Sequence, residues 1–451
     1  MHRTMRWLWG LAVLAAQSPL PCRAVAEQQE PAVAEQQEPP AFPDVHYTPP
    51  PGDEGVTEPA PPPRTEAPAS PEGEASAAAK PAARPGPSGW IPGEGFILRS
   101  ADDAYKLRIG LQSAYKFEPI YQDGKSQNRP SFFVLRPIFA GSLVKPWIRF
   151  WTSLELASNP VFLLDSYVEL QPWEEFGVRV GQQYTLLSRH EQFGPQQILF
   201  PEWAPVAEYF WTGRDKGVTA WGLLADKRFE YYAGLYSGSP LRQFTTIAGN
   251  YVVEGRLSWN PLGPPGSTEF PYISDESSPF RLSVSIQGYT GKIQLAEENF
   301  NPSTFRFDVT ASGTTRRQNC GVADLWLQGR RFAFLVEGYA RETDPDLGIL
   351  DDIYTSVGVW GQLGFLLVPR HLDVAVRGNW LNPSTSLGND RFVSGEIQLA
   401  YYITRSPVLV VKLRYGFGNQ HSPGKDALGA VALFTAPGDV HVGTAQLNLA
   451  F

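Results

Sequence analysis

The sequence predicts an all-β fold: an antiparallel transmembrane β-barrel of about sixteen strands, preceded by a disordered Pro-rich linker. Three observations carry this prediction. Period-two alternation of apolar and polar residues recurs from residue 104 to the end; short and long connections alternate between the segments; and the N-terminus has the features of an export signal. Composition agrees, because aromatic residues reach 13% while charged residues are only 19%, a balance that suits glycine-rich, aromatic-belted strands better than a helical enzyme.

At the start, Arg3 and Arg6 precede the apolar run Trp7 to Ala16, and Ala24 and Ala26 form a small-residue cleavage pattern. Residues 1–26 therefore read as a secretory signal peptide. A spanning helix needs about 20 apolar residues, and Gln17, Ser18, Pro19 and Pro21 end the run too early. Cys22 falls within the signal, so the mature chain keeps only Cys320 and has no partner for an intramolecular disulfide. A structural cysteine in a strand is expected there.

Residues 27–93 follow as a Pro/Ala/Glu-rich disordered linker, with Pro49-Pro50-Pro51, Pro61-Pro62-Pro63 and a tandem octet AVAEQQEP at 24–31 and 32–39. Between Glu27 and Ser88 there are eleven acidic residues against Arg64, Lys80 and Arg84, which matches the whole-chain net charge of -8 and leaves the remainder close to neutral. Nothing in that balance offers the basic face that nucleic acid requires.

Residues 94–451 make up the barrel domain. In its first segment Leu107, Ile109, Leu111, Tyr115 and Phe117 fall on one face and Lys106, Arg108, Gln112, Lys116 and Glu118 on the other. The pattern recurs with Ile148, Phe150, Leu154 and Leu156 against Arg149, Ser153 and Glu155, and with Leu409, Val411, Leu413, Tyr415 and Phe417 against Lys412 and Arg414. Segments of this kind begin near residues 104, 131, 147, 162, 176, 216, 228, 249, 279, 318, 331, 354, 370, 391, 406 and 440. Alternation alone also fits a soluble sandwich. The connections decide: short links at 144–146, 172–175, 225–227, Pro369 and Arg405 alternate with long ones such as 119–130, 187–215, 291–317 and 419–439. The long, Pro-rich connection Pro261 to Ser278 breaks this parity. The last segment ends in Leu447, Leu449 and the terminal Phe451, an outward-facing aromatic of the kind that outer-membrane assembly machinery receives.

In order along the chain, Gly95-Phe96-Ile97-Leu98-Arg99-Ser100, Lys106-Leu107-Arg108-Ile109-Gly110, Phe133-Val134-Leu135-Arg136-Pro137, Arg179-Val180-Gly181-Gln182 and Gly213-Arg214-Asp215-Lys216-Gly217-Val218 resemble the phosphate-selective porin O/P family. The resemblance spans most of residues 94–451 and implies a homotrimer of sixteen-stranded barrels in the outer membrane of a Gram-negative bacterium. Members with true phosphate selectivity line the pore with arginines and lysines. After Gly181-Gln182, where the family commonly has a lysine and a proline, this chain has Tyr184-Thr185-Leu186, and a basic position is lost.

The expected function is a water-filled channel for passive diffusion of small hydrophilic solutes or anions, phosphate among them, in a barrel surrounded by outer-membrane lipid. Pore-lining candidates on the polar face are Lys106, Arg108, Arg136, Arg149, Arg179, Arg281, Arg377, Lys412 and Arg414. Glu155, Asp165, Glu169, Asp324, Glu337, Asp373 and Glu396 share that face, so cross-strand ion pairs are expected. The connection Leu187 to Asp215 is the third long loop of the series and is the candidate constriction, with Arg189, His190, Glu191, Glu202, Glu208, Arg214 and Asp215 among the apolar residues Ile198, Leu199, Phe200, Trp203 and Trp211, which are expected to anchor it.

No catalytic or metal motif is found: the six histidines are scattered, and there is no H-E-x-x-H, no G-x-S-x-G and no P-loop, so neither enzyme activity nor a cofactor is expected. Asp351-Asp352 reads as a solvated turn. Two alternatives differ in what they require. A barrel enzyme needs a nucleophile constellation at the rim, and a structural barrel that tethers the membrane to the cell wall through its linker needs a wall-binding module.

Overall fold

A computed structural model of the chain describes residues 88–91, 95–101, 104–122, 125–157, 161–239, 250–264, 266, 268–271, 280–301, 306–344, 353–386, 391–405, 407–420 and 438–451. The signal, almost all of the linker and Asp351-Asp352 lie outside them.

The first strands, β1 (Gly89–Ile91) and β2 (Gly95–Arg99), form a small hairpin. Next come β3 (Lys106–Gln122), β4 (Lys125–Leu143), β5 (Lys145–Glu155), β6 (Phe162–Trp173) and β7 (Phe176–Tyr184). After a long loop follow β8 (Arg214–Leu224), β9 (Phe229–Tyr236), β10 (Val252–Trp259), β11 (Arg281–Asn301) and β12 (Arg306–Gln328). The chain finishes with β13 (Phe332–Asp344), β14 (Tyr354–Val368), β15 (Leu372–Asn382), β16 (Phe392–Tyr402), β17 (Leu409–Gln420) and β18 (Gly438–Ala450). From β3 onward each strand pairs antiparallel with its sequence neighbour, and β18 returns to β3, closing a barrel of sixteen strands. Closure leaves no unpaired edge, the condition for β-structure to stand in lipid.

Leu413, Tyr415 and Phe417 of β17 face outward and stay half-exposed, while Lys412 and Arg414 between them are buried. This inverts the usual globular arrangement and leaves an apolar exterior around a polar interior. Short turns gather at one end of the barrel, the turn end. Among the described residues, the non-glycine residues with left-handed backbone lie there, at Val144, Ala225–Lys227, Arg370 and Arg405, where the chain reverses sharply between twisted strands.

Two strands start earlier than their alternation suggests: β4 at Lys125 rather than near 131, and β12 at Arg306 rather than near 318. The extensions remain paired, through Gln122↔Lys125 and Asn301↔Arg306. The β4 extension is polar on both faces, as in Lys125-Ser126-Gln127-Asn128-Arg129, and the stretch Ser312 to Asn319 interrupts the alternation of β12, so period two does not carry through there. At the turn end, β18 and β2 lie end to end along one edge of β3, with pairs Ala450↔Gln112 and Phe96↔Ile109. The Phe451 ring packs on Trp90 with centroids 4.6 Å apart, and its backbone exchanges hydrogen bonds with Leu111.

Candidate pore and constriction

The chain between Tyr184 and Arg214 folds into the barrel. It carries a 3-10 turn, His190–Gln192, and one short helix, α1 (Pro205–Phe210), whose start is set by Pro205 at the first helical position. Ile198, Leu199 and Phe200 are fully buried, and Trp203 nearly so. Wall side chains take up several of the loop's buried polar groups. Glu337 on β13 accepts from the Ser188 hydroxyl at 2.8 Å, the Arg189 N–H at 2.9 Å and the His190 N–H at 3.2 Å. Arg189 reaches the adjacent strands β11 and β12, donating to Asp324 at 3.2 Å, Ser283 at 2.8 Å and Ser285 at 2.9 Å. Lys412 donates to the carbonyls of Ile198 at 2.8 Å and Phe200 at 3.0 Å. Glu202 pairs with Lys116 and, at 3.0 Å, with Arg414, while its carbonyl accepts from Arg377 at 2.8 Å.

The connection that breaks parity finds its explanation here. Its described residues rise from the turn end into the lumen, where Gln328 on β12 binds Gly266 N–H at 3.0 Å and donates to the carbonyl of Phe270 at 2.9 Å. Arg281, a predicted pore-lining residue, donates instead to the carbonyl of Leu262 at 2.6 Å and braces this insert. Phe270 joins Leu199, Phe200, Ala375, Ala400, Tyr402 and Val410 in one apolar cluster. Loop and insert together fill the side of the lumen facing the later strands.

On the other side, between the loop and the wall of β3 to β8, a cavity of about 600 Å³ remains. Among the described residues, its charged side chains are Arg108, Arg136, Arg179 and Arg214 against Asp165, and the last residue, Phe451, also borders it. The balancing carboxylates stand beside the arginines without lining the space: Glu155 pairs with Arg136 at 2.9 Å, and Glu169 with Arg179 at 2.7 Å and Arg149 at 2.8 Å. Asp165 accepts from Arg214 at 2.7 Å and from Ser153 at 2.7 Å. Two guanidiniums also rest on aromatic faces, Arg214 at 3.6 Å from the Tyr184 ring centre and Arg179 at 4.5 Å from that of Tyr167. Gly181, with a φ of 133° opposite Tyr167, makes room for that ring, since a Cβ there would run into the Ser166 carbonyl and Tyr167 itself.

The structure thus sorts the sequence candidates into two groups. Arg108, Arg136 and Arg179 face the cavity together with Arg214, while Arg149 flanks them and Lys106 sits at the rim where β3 begins. Arg377, Lys412 and Arg414 hold the loop, and Arg281 holds the insert. Of the loop residues, Arg189 and His190 are anchors inserted among wall side chains. Glu191 is buried in the 3-10 turn, and Asp215 accepts from Ser237 at 2.5 Å and Gly238 N–H at 2.7 Å, closing the start of the next connection. Sequence reasoning missed Lys116 as a clamp, although it lies on the polar face of the first segment. It also missed Glu269, whose only signal was its place in a connection too long for a turn.

No family model matches the chain, and no curated protein sequence does. Several solved structures match in fold. An anion-selective porin from Comamonas acidovorans superposes with a TM-score of 0.55 at 9% identity, covering 77% of this chain and 100% of that one. A loop L8 deletion mutant of OmpT, an outer membrane protein of Vibrio cholerae, gives 0.53 at 9% identity over 77% of this chain and 100% of that one. In-vitro folded OmpT of Vibrio cholerae gives 0.52 at 11% identity over 79% and 99%. The architecture is therefore that of outer-membrane β-barrels.

Proposed function

We propose that the protein is an outer-membrane porin, a water-filled channel for passive diffusion of small hydrophilic solutes that favours anions. The observation that carries this reading is the off-centre cavity, where four guanidiniums face one side-chain carboxylate. Charge lining a narrow, water-filled passage sets which ions enter, and arginine keeps its charge at every working pH. Inorganic phosphate belongs to the favoured class, and the guanidinium fork suits its oxygens. The apolar exterior takes outer-membrane lipid, residues 1–26 direct export, residues 27–93 form the periplasmic linker, and Phe451 ends the strand offered to the assembly machinery.

Single-channel recording of the purified protein in a planar bilayer tests the reading. Stepwise conductance, with a reversal potential in a potassium chloride gradient that reports chloride over potassium, is expected; concentration-dependent block by phosphate would add phosphate selectivity. A protein that folds and inserts but carries no current would refute the channel.

A further inference from the structure

Two segments enter the lumen from opposite ends and meet at one carboxylate. Glu269 of the insert, only 1% exposed, accepts the Nδ1–H of His190, the Leu199 N–H at 3.0 Å and the Gln362 amide at 2.7 Å. Its own N–H donates to the Gln197 carbonyl at 2.8 Å. The imidazole is fixed in turn, since its Nε2 accepts the Ala204 N–H at 2.8 Å and its ring lies against Trp360 with centroids 4.3 Å apart. One side chain therefore ties the 3-10 turn, the turns before α1 and the β14 wall together. Beside it Phe270 meets Tyr402 edge-on with ring centres 5.7 Å apart.

We infer that the insert is the keystone of the constriction, and that Glu269 is the positioning residue that holds the loop across one side of the lumen and confines solutes to the arginine-lined side. The inference rests on the channel reading for its functional consequence but not for its geometry. A carboxylate with three donors inside a low-dielectric core is costly to remove, because each donor is left unpaired. Wall side chains such as Glu337 and Lys412 hold the loop from the sides of the barrel, and the insert adds its own contacts from the turn end.

The test is the double substitution Glu269→Ala with Phe270→Ala, alongside Gln328→Ala, which removes the insert's tether and keeps Glu269. Folding is checked by the shift in electrophoretic mobility on heating. Conductance rising about twofold as the blocked side opens, with passage of larger neutral sugars, is expected for both variants. Folded variants with wild-type conductance and size limit would overturn the inference. Trypsin cleavage after Arg189, read by mass spectrometry, needs no channel: cleavage in the variants against protection in the wild type supports the keystone, and equal protection overturns it. If the wild type carries no current but cleavage still follows the variants, the channel reading alone has failed.

Discussion

Arginines that serve a passage have to be held in place without being neutralised. At the cavity each is braced by a neighbouring carboxylate, an aromatic face, or both: Arg214 has Asp165 and Tyr184, and Arg179 has Glu169 and Tyr167. The tyrosine at 184, which departs from the lysine that the family resemblance suggests nearby, supplies no charge but steadies one on the facing strand. Arg108 lies closest to the rim and over Trp151 at 5.9 Å, so it can be changed without removing a buried ion pair among those described. Arg108→Glu turns four guanidiniums against one carboxylate into three against two. At about 8 Å through water, two unit charges interact by about 0.5 kcal/mol. A swing of two charges is therefore expected to lower anion entry by about fivefold at low salt, where screening is weak. The reversal potential in a salt gradient reads this directly. An unchanged potential would place the ion path away from Arg108.

Strands and connections differ in what they reveal about themselves. A strand crossing lipid must show apolar residues outward and tolerate polar ones inward, so period two places β3 to β18 to within a few residues and blurs only where β4 and β12 leave the belt. The outward face carries a prediction of its own. Leu413, 54% exposed in the middle of β17, is expected to face hydrocarbon, and Leu413→Arg should cost about 2–4 kcal/mol of folding free energy in lipid vesicles. A substitution near zero cost would mean that this face meets water. Connections carry no such rule. The loop before β8 announces itself by length and by its aromatic residues, but its partners Glu337, Lys412 and Arg414 come from strands more than a hundred residues away.

At the scale of the molecule, closure of β18 on β3 leaves Phe451 against Trp90, so the hairpin that precedes the barrel continues the wall where the chain stops. We propose a homotrimer, and sedimentation of the detergent-purified protein is expected to give three copies per particle; a single copy would remove that proposal and leave the channel untouched. The strand positions, the inverted faces and the parity of most connections were legible in the sequence alone, because each follows from a local period and from the chemistry of lipid against water. Which charges face solute and which clamp the loop was decided only by the tertiary structure. Arg136 and Arg377 occupy equivalent polar-face positions in similar strands, yet one lines the cavity and the other donates to the Glu202 carbonyl. The difference arises from the path of two connections through the closed barrel. That path depends on partners brought together only by closure, and no local period encodes it.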